Sequence, residues 1–202
     1  MTLGTIFLVV ASILWGVVHS ALASYPAKDW IRRLSGPVAF DKLYRFSYNL
    51  FSASSFFPIA AMLVTFPDRP LYSIPSPWVY LTSIVQGLAV ILLIATVAQT
   101  GLLEFLGLAQ LTSIGAGKPS ALMTDGWYAY VRHPLYLGIL VFSWLIADMT
   151  VNRLALVLVF SLYIVIGAYF EERKLLQDFG PAYAEYKSKT PMLIPKIINR
   201  KS

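Results

Sequence analysis

Long, unbroken apolar runs separated by short polar stretches dominate this chain. The runs cover Leu3 to about Ala23, Phe46 to Phe66, Trp78 to Gln99, Tyr136 to Ala147 (extendable backward through Tyr128) and Leu154 to Phe170. A helix needs about 20 apolar residues to cross the hydrocarbon core of a bilayer. The pattern therefore predicts an all-α, polytopic membrane helical bundle of about five transmembrane helices. The runs are continuous and lack period-two alternation, so strands are not expected. The short link Met149-Thr150-Val151-Asn152 predicts that the last two spans form an antiparallel helical hairpin. Pro67 to Pro77 holds four prolines and predicts an outer loop that cannot be regular helix. Gly101 to Asp125 is the one long inner connection, with an apolar patch at Leu102–Leu106 placed along the membrane surface. Ala21-Leu22-Ala23 before Ser24 has the form of a signal-peptidase site. No Lys or Arg precedes that run, however, and it is long for a signal core, so a retained span is expected. A single domain, 1–202, divides into a three-span half (1–100) and a C-terminal half (101–202).

Composition strengthens this picture. The chain is 57% hydrophobic and 13% charged, with a mean hydropathy of +0.67, where a soluble domain carries about 25% charged residues. There is no cysteine, which removes disulfides, thiolate metal sites and a cysteine nucleophile; no metal is expected. The net charge of +6 is unevenly distributed. Lys28, Arg32, Arg33, Lys42 and Arg45 lie between the first two spans, Lys118 and Arg132 between the third and fourth. Arg173, Lys174, Lys187, Lys189, Lys196, Arg200 and Lys201 lie in the tail. Only Arg69 and Arg153 fall on the other side. The positive-inside rule then predicts an outside N-terminus and a cytoplasmic C-terminal tail, in a bacterial inner membrane. The basic excess reads as a topology signal with some contact to anionic lipid of the bilayer, and nucleic acid is not an expected partner.

Two segments concentrate polar groups against apolar helix. One runs from Asp125 to Tyr136 and contains Arg132-His133-Pro134; the other begins at Glu171-Glu172 and continues through Phe179-Gly180, Tyr183, Tyr186 and Pro191. The hairpin returns both to the same membrane depth. Carboxylates at a helix C-terminus oppose the macrodipole, so either the helix continues through Leu176 or Arg132 and His133 compensate the pair. Two readings stay open: an interfacial salt bridge, or a polar pocket holding acid, base and guanidinium side by side. Trp127, Tyr128, Tyr130 and Tyr136 fit an interfacial belt or a surface for a heterocycle or cation. His19, in the first apolar span, either finds a local partner or touches substrate. Gly115-Ala116-Gly117-Lys118 lacks the first glycine of a phosphate loop and is followed by Pro119, so it is set aside.

Gly126, Tyr128, Arg132-His133-Pro134, Tyr136 and Gly138, followed by Glu171-Glu172, Phe179-Gly180, Tyr183, Tyr186 and a proline-terminated tail, resemble the integral membrane methyltransferases. That superfamily includes isoprenylcysteine carboxyl methyltransferases and phospholipid N-methyltransferases. The paired motifs cover roughly the last 80 residues, and as an ordered pair around a hairpin they are specific. His19-Ser20, Ala23-Ser24, Tyr44-Arg45, Tyr48-Asn49, Phe105–Leu108, Trp144 and Asp148-Met149-Thr150 resemble the NnrU-type branch, related to methanethiol S-methyltransferases.

This resemblance implies S-adenosylmethionine as cofactor and methyl transfer to a small thiol or lipid-like acceptor at the cytoplasmic face. It implies Arg132, His133 and Glu172 as catalytic residues. Gly126, Tyr128, His133, Tyr136, Glu171, Glu172, Tyr183 and Tyr186 are implied around the cofactor, and His19, Tyr48 and Asn49 toward the acceptor. Methyl transfer from a sulfonium needs positioning and water exclusion rather than a protein nucleophile, which suits a chain without cysteine. Two other readings use the same residues: a haem-linked protein ligated by His19 and His133, and a non-catalytic NnrU-type transport or assembly factor.

Overall fold

The structure is a computed structural model and describes residues 2–112 and 121–195. The Gly115–Lys118 segment and the tail cations Lys196, Arg200 and Lys201 lie outside the described residues.

Nine α-helices and two short strands follow one another among the described residues. Helix α1 spans Leu3–Ala23, α2 Tyr25–Ser35, α3 Pro37–Thr65, α4 Trp78–Thr100, α5 Leu102–Leu106, α6 Leu108–Leu111, α7 Pro134–Trp144, α8 Val151–Phe179 and α9 Pro181–Lys189. Strands β1 (Pro70–Ser73) and β2 (Asp148–Thr150) pair antiparallel, with Tyr72 opposite Met149 and Ser73 opposite Asp148. The expectation of no strands is thus corrected: two short connecting segments pair their backbone groups with each other.

Four helices, α1, α3, α4 and α8, are long and apolar enough to cross a membrane. Their outward apolar side chains, among them Phe57, Val64, Leu81, Ile94 and Leu162, are exposed, as lipid-facing side chains are. The fourth apolar run gives only the 11-residue α7, about 16 Å at 1.5 Å per residue against a core of about 30 Å. Pro134 starts that helix, and the residues before it form a 3-10 turn, Gly126–Ala129, which prevents the backward extension.

Local chemistry sets the boundaries. Thr2 caps α1 by accepting from Thr5 N–H at 3.1 Å. Ser24 ends α1 and caps α2, so the polypeptide turns within one residue. Pro58 lies inside α3, where nearby Ser54 and Ser55 hydroxyls bond to Phe51 O; such hydroxyls help membrane helices tolerate a proline. Helix α8 does not stop at Phe170. Its Glu-Glu-Arg-Lys-Leu-Leu-Gln continuation favours helix and carries it to Phe179, so the glutamate pair sits about two turns before the end. The predicted conflict with the macrodipole therefore does not arise.

The chain forms two compact units. The first gathers residues up to Ile74, the segment from Thr100, and Asp148–Tyr163; the second gathers Pro75–Gln99, the segment ending at Ala147, and the chain from Ile164. In the first unit, Asn152 is fully buried. Its Oδ1 accepts from Thr5 Oγ1 at 2.7 Å, and its backbone N–H donates to Asp68 Oδ1 at 3.0 Å. Gly107, at φ 82°, passes so close to α3 that a Cβ there would lie 2.5 Å from Phe46 N. In the second unit, Gly138 on α7 faces Leu93 and Ala89 of α4, and Gln86 Nε2 donates to Phe142 O at 3.0 Å.

Asn152→Ala removes a buried acceptor and costs about 1–3 kcal/mol. Ser73→Ala, at an exposed contact with Asp148, changes stability by less than about 0.5 kcal/mol. Thermal unfolding of the two variants in one detergent should rank them in that order.

Candidate active site

Arg132 and His133 leave the 3-10 turn and enter α7 through Pro134. Their backbone N–H groups donate to Pro191 O at 2.9 Å and Met192 O at 3.1 Å, so the tail runs beside them like a strap. The Arg132 side chain is buried and fully engaged. Its Nε donates to Glu172 Oε1 at 2.6 Å, and Nη2 meets the same oxygen at 2.5 Å. Its Nη1 donates to Lys187 O at 3.1 Å and to Thr190 O. The other Glu172 oxygen takes Lys187 Nζ at 2.8 Å. Both Glu172 oxygens are thus held by cations.

Glu171 differs. Consecutive residues point about 100° apart on a helix, and this carboxylate is 44% exposed. It accepts from Tyr136 Oη at 2.7 Å and lies 3.7 Å from His133 Nδ1. His133 and Tyr136 stack, with ring centroids 5.2 Å apart and planes 10° apart. His133 Nε2 is buried, 3.4 Å from Glu172 Oε1, yet makes no directed hydrogen bond. Burial holds the His133 pKa below 6.5, against the upward pull of Glu171 and Glu172. Tyr183, also buried, is pushed up to about 12 by burial and then by Glu172. Burial, followed by Glu171, raises Tyr128.

The remaining candidates frame this centre. Tyr186 donates to Tyr128 O at 2.7 Å, tying α9 to the 3-10 turn. Gly126 adopts φ 56°, and a Cβ there would lie 2.4 Å from the Gln99 amide. Gln99 clamps the turn, donating to Asp125 O at 2.9 Å and accepting from Trp127 N at 3.2 Å. Sequence reading missed Gln99 as part of this site, because a glutamine closing an apolar run carries no motif. It also counted Lys187 only as a tail charge. The acceptor candidates His19, Tyr48 and Asn49 belong to the first unit. His19 and Tyr48 meet there at 2.7 Å, whereas Asn49 Nδ2 donates to Phe105 O at 2.8 Å.

The family model described as Ergosterol biosynthesis ERG4/ERG24 family matches residues 56–198. Methanethiol S-methyltransferase 1 of Bradyrhizobium diazoefficiens is 32% identical over 193 residues, 90% of this chain and 64% of that protein. Methanethiol S-methyltransferase of Pseudomonas deceptionensis is 31% identical over 190 residues, covering 91% of this chain and 70% of its own length. The chain belongs to the membrane methyltransferase superfamily. A member from Schizosaccharomyces pombe, protein-S-isoprenylcysteine O-methyltransferase, is 40% identical over 86 residues, 40% of this chain and 35% of that protein. The chain spans about two thirds of the length of the first bacterial relative. No solved structure matches it.

For this member of the superfamily, the geometry separates two kinds of test. Glu172→Gln leaves the buried Arg132 without its counter-charge and costs about 3–5 kcal/mol, read as a lower melting temperature in detergent. Below its ordinary pKa of 6.5, His133 takes a proton in the unfolded chain before the folded one. Stability therefore holds above pH 6.5 and falls as pH drops through and below that value. His133→Gln should flatten the melting-temperature slope between about pH 7 and 5; an unchanged slope contradicts the assignment.

Proposed function

We propose that the chain is an S-adenosylmethionine-dependent methyltransferase acting on a small thiol at the cytoplasmic face of the membrane, with the N-terminus outside and the C-terminal tail inside. The observation that carries this reading is the half-exposed Glu171 carboxylate beside the stacked His133 and Tyr136 rings, built from the two motifs that the superfamily resemblance names. The names of the bacterial relatives support the thiol.

The residues present fit the cofactor by donor and acceptor chemistry. A sulfonium and an ammonium call for a carboxylate and aromatic faces, which Glu171, Tyr136 and Tyr128 offer. Ribose and adenine call for hydrogen-bonding groups in a partly dry site, and the undirected His133 Nε2 is one. When bound, the cofactor supplies an electrophilic methyl group on a sulfonium.

The chain's own residues bind, orient and exclude water. Glu171 holds positive charge, and Tyr136 Oη fixes the direction of that carboxylate. His133 stays neutral near pH 7 because of its burial, so it adds no cation beside a cationic ligand. Arg132 and Glu172 act as positioning residues: each satisfies the other, and together they set the loop that presents His133 and Tyr136. Tyr183 and Tyr186 close the side formed by α9, which keeps water from the centre. Gly126, with Gln99, places the Tyr128 ring. A membrane-embedded bundle lets an apolar acceptor arrive through the bilayer while a soluble cofactor enters from water.

Calorimetry of the purified chain in detergent should show one molecule of S-adenosylhomocysteine bound. Glu171→Gln should weaken that binding about tenfold or more, since a hydrogen-bonded charge contributes about 1.5–3 kcal/mol, while melting near the parent temperature. Labelled methyl should pass from S-adenosylmethionine to methanethiol. Absence of cofactor binding by the parent chain sinks the proposal.

A further inference from the structure

A second polar cluster lies in the first unit, inside the apolar helices α1 and α3, and the site above does not use it. His19 of α1 makes two ring contacts: Nδ1 lies 3.0 Å from Ser52 Oγ and Nε2 lies 2.7 Å from Tyr48 Oη. Ser52 fixes the protonation pattern. Its hydroxyl donates its single proton to Tyr48 O at 2.7 Å, so toward His19 it can only accept. Nδ1 therefore carries the hydrogen, and Nε2 is the bare acceptor. Tyr48 donates to Nε2, and that contact is far shorter than the 3.4 Å to His19 O. Ser52 also stands within reach of Tyr48 Oη, but its one proton is taken by Tyr48 O. The cluster is a proton-accepting chain, tyrosine oxygen to imidazole, with its receiving end open.

The surroundings indicate what occupies that end. Trp15 stacks on His19 at 4.7 Å, Tyr48 lies 4.9 Å from it and Tyr163 6.2 Å. Trp15 Nε1 is itself satisfied by Ser55 Oγ at 3.0 Å. Aromatic rings favour divalent sulfur, and helices that face lipid admit small apolar molecules. An ionisable side chain within a membrane helix marks function by default. His19 and Tyr48 are both only partly buried, so the open end is reachable.

We propose that Tyr48 and His19 form a thiol-binding site that takes up the thiol proton. The choice of a thiol over other weak acids rests on the methyl-transfer reading. The S–H bond breaks and its proton goes to Tyr48 Oη, while the Tyr48 proton passes to His19 Nε2. This leaves a thiolate, a neutral tyrosine and an imidazolium. Methylation of a thiol releases one proton, and this relay is where the chain receives it. In that role Tyr48 is a catalytic residue and Ser52 a positioning residue, since it holds the imidazole in the one useful tautomer.

The chain has two histidines, so its imidazole nitrogen-15 resonances can be assigned in the full-length protein in nanodiscs. The parent spectrum should show His19 as the Nδ1–H tautomer, and ethanethiol should shift Nε2 toward the protonated position. Tyr48→Phe, which keeps the ring, should abolish the thiol response. Ser52→Ala should give mixed tautomers in a folded chain. In turnover, Tyr48→Phe should lose about 100-fold at pH 7, the scale of general-base catalysis, and recover as pH rises and the thiol ionises in solution. A His19 spectrum indifferent to ethanethiol, or a thiol response that survives Tyr48→Phe, overturns the proposal. Calorimetry with S-adenosylhomocysteine is read separately, so loss of the methyl-donor reading and loss of this site are distinguishable.

Discussion

The second unit depends on one ion pair taken out of water, Arg132 with Glu172. Desolvating two such charges costs several kcal/mol each, so the pair persists only if the remaining donors and lone pairs are met. The chain meets them from its tail. Lys187 covers the second carboxylate oxygen, and the carbonyls of Lys187 and Thr190 take the guanidinium edge that Glu172 leaves. The backbone repeats the connection where Arg132 and His133 donate to Pro191 and Met192. Three distant stretches are thereby fixed at one point: the entry to α7, the late part of α8 and the residues after α9. His133 and Tyr136 inherit their positions from that point, and so does the Glu171 carboxylate that Tyr136 holds.

The twin glutamates show how much of such a centre a sequence can express. Their adjacency marks a polar position against an apolar run, and the Arg-His-Pro segment supplies the obvious counter-charges. That the two motifs meet follows from the hairpin, and in the structure Tyr136 at the start of α7 does reach Glu171 on α8. The division of labour between neighbours needs the helix to continue past them, since only then do residues about 100° apart face different environments. Glu172 turns to Arg132 and Lys187, and Glu171 turns to Tyr136 and the exposed side. The part played by Gln99 and Lys187 was hidden for another reason. Each acts through contacts 26 to 28 and 15 residues away along the chain, and neither sits in a local pattern.

The same limits govern the fold. Hydropathy registers long apolar runs, and α1, α3, α4 and α8 appear where such runs lie. It responds to side chains rather than to backbone hydrogen bonds, so it overextends the run ending at Ala147 and stops α8 at Phe170. A proline that starts a helix corrects the first case. Strong helix formers that are also charged correct the second. The paired strands β1 and β2 leave no mark in the hydropathy pattern because each is three or four residues long. Segments that short show no periodicity, and their pairing answers only the need of loop amides and carbonyls for partners.

Residues 56–198, which the family model matches, contain the whole Arg132–Glu172 centre. His19, Tyr48 and Ser52 fall before that stretch. On the proposed reading this centre orients a cationic methyl donor, a task that is the same whatever molecule receives the methyl group. The receiving end must differ, because a thiol, a lipid carboxylate and an amine release or lack a proton in different ways. A carboxylate needs no proton acceptor, whereas a thiol at neutral pH does. Of the two polar clusters, only the one on α1 and α3 offers an imidazole with a fixed bare nitrogen behind a hydroxyl. His133 is crowded by two carboxylates and an arginine, and its Nε2 faces Glu172. On the proposed reading the clusters divide by charge: the C-terminal motifs take a permanent cation, and the N-terminal helices a mobile proton.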